Sequence, residues 1–147
     1  MASEPPAKSY EEFLSSIVSI SIFGAATFAV IVSQIEDPAN ISTHPRFEKK
    51  TVRTFLAISW LLFVLALGIG RFSMHFVNIA RKKEEWRRKW VLLGHFTSFM
   101  LQYLIIGAFL FLSLVIVAYA ETVGWIAVAL ISTSGILVPA FFAMDRM

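Results

Sequence analysis

Seven positions near the start of the chain repeat at alternating intervals of four and three: Ser15, Ser19, Ile22, Ala26, Ala29, Ser33 and Glu36. On an α-helix this spacing gathers them on one face. The face is small and weakly polar, and it ends in a carboxylate with Asp37 beside it. Two uses suit such a surface. Small residues let helix backbones approach, and serine hydroxyls can bond across the contact. Alternatively, copies of the helix ring an axis, the small residues leave room for water, and Glu36 and Asp37 form an acidic ring that gathers cations.

The remaining polar groups offer less chemistry. Gln102 lies mid-segment beside Tyr103, and a buried amide there is expected to find a hydrogen-bond partner on a neighbouring helix. His75 and His95 could face each other and respond to pH, although interfacial solvation accounts for them as simply. Asn78 falls in the same zone, and Glu121 reads as solvated or as part of a vestibule. Arg81, Lys82, Lys83, Arg87, Arg88 and Lys89 form a basic run that anchors a membrane interface and suits anionic lipid headgroups. The chain has no acid pair within an apolar segment, no His-x-x-x-His pair, no phosphate loop and no serine triad. It is expected not to be an enzyme and to need no cofactor or metal.

The elements that must position these residues are apolar and long. Four stretches, Phe13–Ile35, Phe55–Met74, Val91–Val117 and Val123–Phe142, fill most of the 147 residues. About 20 helical residues cross the ~30 Å hydrocarbon core, and backbone amides in lipid must pair within the chain. The expectation is an all-α integral membrane protein with four transmembrane helices, a segment 1–12 in the cytoplasm and one membrane domain over 13–147. Hydrophobic residues make up 57% of the chain and mean hydropathy is +0.71, which leaves no room for a soluble domain. Cysteine is absent, so disulfides and thiolate sites are excluded. The net charge of +3 comes from residues that flank the apolar segments. Lipid is therefore the expected partner, not nucleic acid.

Basic residues also orient the chain. Lys8, Arg81, Lys82, Lys83, Arg87, Arg88, Lys89 and Arg146 fall on one side, and Arg46, Lys49, Lys50 and Arg53 on the other. This asymmetry places both termini in the cytoplasm, with the plasma membrane favoured. Asn40-Ile41-Ser42 is a glycosylation sequon on the outer side. The acidic N-terminus lacks the basic start of a cleavable signal, so the first span reads as a retained anchor.

Local signals set the boundaries. Ser9-Tyr10-Glu11-Glu12 reads as a capping box, and Glu36-Asp37-Pro38 ends the first helix before an irregular outer loop. The second helix starts near Thr51. Phe72, Phe76, Ile79, Trp86 and Trp90 carry an apolar rhythm past Arg71, with no Gly or Pro in 72–93. Helices two and three are therefore expected to extend into the cytoplasm as a hairpin turning within Arg81–Arg88. Ala118–Thr122 makes a tight turn, Pro139 kinks the fourth helix, and Ala66-x-x-x-Gly70 marks a packing contact. On the first helix, Phe23, Phe28, Val30 and Ile31 read as the side opposite the small face, suited to neighbouring helices or lipid.

Gly24-Ala25-Ala26-Thr27-Phe28-Ala29-Val30-Ile31-Val32-Ser33-Gln34-Ile35 resembles the first-helix pattern of the Orai family of calcium channels. Ile131-Ser132-Thr133-Ser134-Gly135-Ile136-Leu137-Val138-Pro139 is similar to that family's fourth helix, including the proline. The resemblance implies four-helix subunits assembled around a pore lined by the first helix, with calcium as the ion. The family's pore glutamate falls at Val32, so the selectivity ring here would move to Glu36 or Asp37. Where the family has basic residues, the inner first helix offers Ser15, Ser16 and Ser19. The expected function is a homo-oligomeric, cation-permeable channel lined by Ser15, Ser19, Ile22, Ala26, Ala29 and Ser33. The alternative is a non-catalytic tetraspan adaptor that binds a membrane partner or anionic lipid through the same surfaces.

Overall fold

The computed structural model describes residues 6–41, 46–80 and 87–144. Among them the chain forms α1 (Pro6–Gln34), α2 (Pro38–Ile41), α3 (Lys49–Ala80), α4 (Arg87–Tyr119) and α5 (Glu121–Met144), with no strand. Three helices are long and apolar enough to cross a membrane, over Tyr10–Val32, Lys49–His75 and Phe96–Tyr119. The described apolar part of α5, Glu121–Leu137, is shorter. The chain is an all-helical protein with the features of a multi-pass membrane protein.

α1 begins at Pro6 and not at Ser9, which corrects the capping-box reading. Proline already holds a helical φ, and its missing N–H is one that the first turn leaves unpaired anyway. The helix ends at Gln34, where Glu36-Asp37-Pro38 was expected to stop it. α2 adds one helical turn to the loop, with the Asn40 amide donating to the Asp37 carbonyl at 2.9 Å.

α3 runs unbroken past Arg71 to Ala80, and at 32 residues it measures ~48 Å, longer than the hydrocarbon core is thick. α4, with 33 residues, is as long. The segment between them, where the hairpin turn was expected, with Arg81, Lys82 and Lys83, lies outside the described residues. Only Ala120 separates α4 from α5, a tighter corner than the expected five-residue turn. Its amide donates to the Ile116 carbonyl at 2.7 Å, and its own carbonyl accepts from the Gly124 amide at 2.8 Å. A side chain on Gly124 would strike the Val117 backbone, so only glycine permits this corner. α5 continues through Pro139 to Met144.

The helices pack in the order α1, α3, α4, α5. Contacts are most extensive between α3 and α4, then between α1 and α3 and between α4 and α5, while α1 meets α4 only locally. α1 and α5 therefore lie on opposite sides of the α3–α4 pair. One core cluster joins Leu14 and Ile17 of α1 to Phe63 and Ala66 of α3 and to Leu101, Ile105 and Ala108 of α4. A second gathers Val52, Leu56, Val115 and Ala118 nearer the Glu36 end. Between α3 and α4 the buried Ser59 hydroxyl donates to the Ala108 carbonyl at 2.8 Å. That carbonyl sits in a helix, so the bond adds an interhelical tie at no cost to the backbone ladder.

Candidate functional site

α1 has two unlike sides. Leu14, Ile17, Val18 and Ser21 are buried against the bundle. Ala66 and Gly70 of α3 receive them, because a Cβ added to Gly70 would lie 3.3 Å from Val18 and 3.8 Å from Ile17. The small-x-x-x-small pair of α3 is thus a packing contact, as its spacing suggested. Higher up, Gly24 lies under the ring of Phe63, and an added Cβ would come within 2.6 Å of it. Phe63 in turn meets Phe109 edge to face, with centroids 5.4 Å apart.

The 4,3 stripe lies on the other side. Ser15, Ser19, Ile22 and Ala26 are all exposed, and Ile22 keeps 49% of its surface open. The side chains of Ala29 and Ser33 lie outside the described residues. Of the four residues assigned to the opposite side, Phe28 and Ile31 pack on the second core cluster. Phe23 and Val30 do not: they are 70% and 66% exposed and flank the stripe. The periodicity identified the stripe but left open which of these four meet protein and which stay uncovered, because an apolar residue does not reveal what covers it.

Three serine hydroxyls of α1 are paired locally. Ser19 donates to the Ser15 carbonyl at 2.9 Å, Ser16 to Glu12 at 3.0 Å and Ser21 to Ile17 at 2.7 Å. Each keeps its oxygen lone pairs available, so the open face offers weak acceptors and few free donors.

At the Glu36 end several charges meet. Glu36 is exposed and Asp37 half-buried, and the Tyr119 hydroxyl donates to the Glu36 backbone carbonyl at 2.9 Å. Asp37, Glu36 and Arg53 all act electrostatically on that hydroxyl. Arg46 pairs with Glu121 at 2.7 Å, so the latter is bridged to the first loop and not free in a vestibule. Tyr119 and the Arg46–Glu121 pair were not legible as ties, since both join segments far apart in sequence. At the other end the Tyr10 hydroxyl shares side-chain hydrogen bonds with Ser73 and Ser98, joining α1, α3 and α4.

Gln102 departs from expectation. Its Oε1 is buried and accepts no hydrogen bond. The Tyr103 hydroxyl beside it reaches the Gly135 carbonyl of α5 at 3.3 Å. His75 is exposed, while the side chains of Asn78 and His95 lie outside the described residues. Arg87, Arg88 and Lys89 open α4, with side chains also outside them. Among the described residues no group of three His, Cys, Asp or Glu could hold a metal ion. Comparison of the chain with family models, curated proteins and solved structures found no match.

Proposed function

We propose that the chain is the subunit of a homo-oligomeric, cation-permeable membrane channel whose pathway is lined by α1. One observation carries the reading. Within the small, weakly polar stripe Ser15, Ser19, Ile22 and Ala26 are uncovered, while Leu14, Ile17, Val18 and Ser21 of the same helix are buried. A stripe used for packing within the chain would be covered by α3 or α4. The order of the helices supports the same arrangement, with α1 at one margin free to face an axis and α5 at the other free to face lipid. In this reading α5 is a fourth span, both termini are cytoplasmic, and the plasma membrane is the setting. The long ends of α3 and α4 form a cytoplasmic hairpin whose basic residues meet anionic lipid. Glu36 and Asp37 make the acidic mouth, and the resemblance to the Orai family makes calcium the first ion to try.

Ile22 is the bulkiest residue on the stripe and the natural point of dewetting. The test is cation flux through purified protein in liposomes, beside a mass measurement of the assembly. Ile22→Ser is expected to raise basal flux. Glu36→Gln with Asp37→Asn is expected to lower conductance about tenfold at low salt, the scale of charge focusing in a narrow mouth. An assembled protein whose flux is nil, or indifferent to both changes, ends the channel reading.

A different observation favours the second reading, a tetraspan adaptor. The stripe's flanks, Phe23 and Val30, are large and open, and Arg46 and Arg53 stand near the acidic residues. Such a face suits docking to a membrane partner as well as it suits water. A monomer of stable fold and no flux would make this the function.

A further inference from the structure

α3 carries a second uncovered surface. At its Lys49 end Lys49, Lys50 and Arg53 stand over Ala57, Ile58 and Leu61, and these six with Thr54 line an open groove of about 550 Å³. Among the described residues no carboxylate forms an ion pair with any of the three cations, and none lines the groove. The apolar strip continues beyond the groove. Leu61, Leu65 and Phe72 are exposed on the same side, and a Cβ on Gly68 would meet nothing within 4 Å. From Arg53 to Leu65 the strip is ~18 Å long, enough for one leaflet's share of the ~30 Å core.

We infer that Lys49, Lys50 and Arg53 hold the phosphate of an anionic phospholipid whose acyl chain lies along Ala57, Ile58, Leu61 and Leu65. The arrangement matches that molecule in order and in charge: cations at the interface, then an unbroken apolar track running into the membrane. A second copy presenting the same surface would set three cations against three. The strip is also built of bulky side chains, not of the small ones that let helices approach. The site is distinct from the basic run at Arg81–Lys89. It requires only that α3 cross a bilayer, so it stands whether or not the chain conducts ions.

The full chain tests this in liposomes. Replacing Trp86, Trp90 and Trp125 by Phe leaves Trp60, beside Leu61, as the only indole reporter. Chain-brominated phosphatidylglycerol is expected to compete for this surface at least about fivefold better than brominated phosphatidylcholine, the weight of one basic residue at a charged surface. Arg53→Gln should reduce the preference, and Lys49→Gln, Lys50→Gln and Arg53→Gln together should abolish it. Arg87→Gln, Arg88→Gln and Lys89→Gln should leave it intact. Native mass spectrometry of the unaltered chain should retain more anionic lipid adducts than that of the triple variant. Equal quenching by both lipids overturns the inference, as does a preference that survives the triple change. Loss of the preference on adding glycerol phosphate would assign the cations to a free anion. A disulfide-linked dimer through Ala57→Cys, in a chain otherwise free of cysteine, would assign the strip to a second copy.

Discussion

The two sides of α1 carry nearly the same chemistry and meet opposite fates. Ser21 is buried and Ser19 exposed, yet each donates to the carbonyl four residues before it. Ile17 is buried, while Ile22 is half open. Hydrophobicity therefore does not select the side that packs. Shape does: the buried side brings Leu14, Ile17 and Val18 to the flat surface of Ala66 and Gly70, and Gly24 to the Phe63 ring. The open side repeats small residues with nothing in the chain to receive them. In a bilayer, where lipid is as apolar as leucine, close fit decides which contacts form.

Substitutions at matched positions test this contrast. The largest effect is expected from Gly24→Val, which forces a branched side chain into the Phe63 ring and destabilises the fold by about 3 kcal/mol or more. Ala26→Val, two residues on, should leave unfolding of the monomer within about 0.5 kcal/mol. Thermal unfolding in detergent, followed by circular dichroism, reads both, and equal losses would break the comparison. Next comes Leu14→Ala, expected to cost about 2–4 kcal/mol as a buried cavity, against a near-neutral Ile22→Ala. Ser59→Ala removes the bond to the Ala108 carbonyl, and about 0.6 kcal/mol is the expected loss. Ser19→Ala should change stability less, because its bond lies within one helix. The smallest effect is Glu121→Gln: its exposed pair with Arg46 is worth about 0–1 kcal/mol and should fade further in high salt. A cost above 2 kcal/mol there would mean that this corner braces the bundle.

Much of the architecture was legible because the strongest signals are local. Glu36-Asp37-Pro38 ends α1, and the unbroken rhythm past Arg71 carries α3 to Ala80. Spacing marked Ala66 and Gly70 as a packing pair, and the structure supplies α1 as the partner. Other features depend on contacts between distant segments. Gly24 carries no mark of Phe63, nor Tyr119 of Glu36, until the helices are brought together. Phe28 and Ile31 meet neighbouring helices while Phe23 and Val30 stay open, a division that periodicity leaves undetermined because every side of a membrane helix is apolar. Gln102 was expected to be paired on general grounds, yet its buried Oε1 has no donor. The stripe itself was found from spacing, while its exposure required the structure.

The corner at Ala120 has a consequence for how the chain is made. With one residue between α4 and α5 and Gly124 pressed on the Val117 backbone, neither helix can take its place without the other. The contact between Gly135 and Ile106, eleven residues farther along each helix, keeps the two side by side. α4 and α5 therefore assemble as one hairpin. A side chain at position 124 would displace both helices, not only the one that carries it.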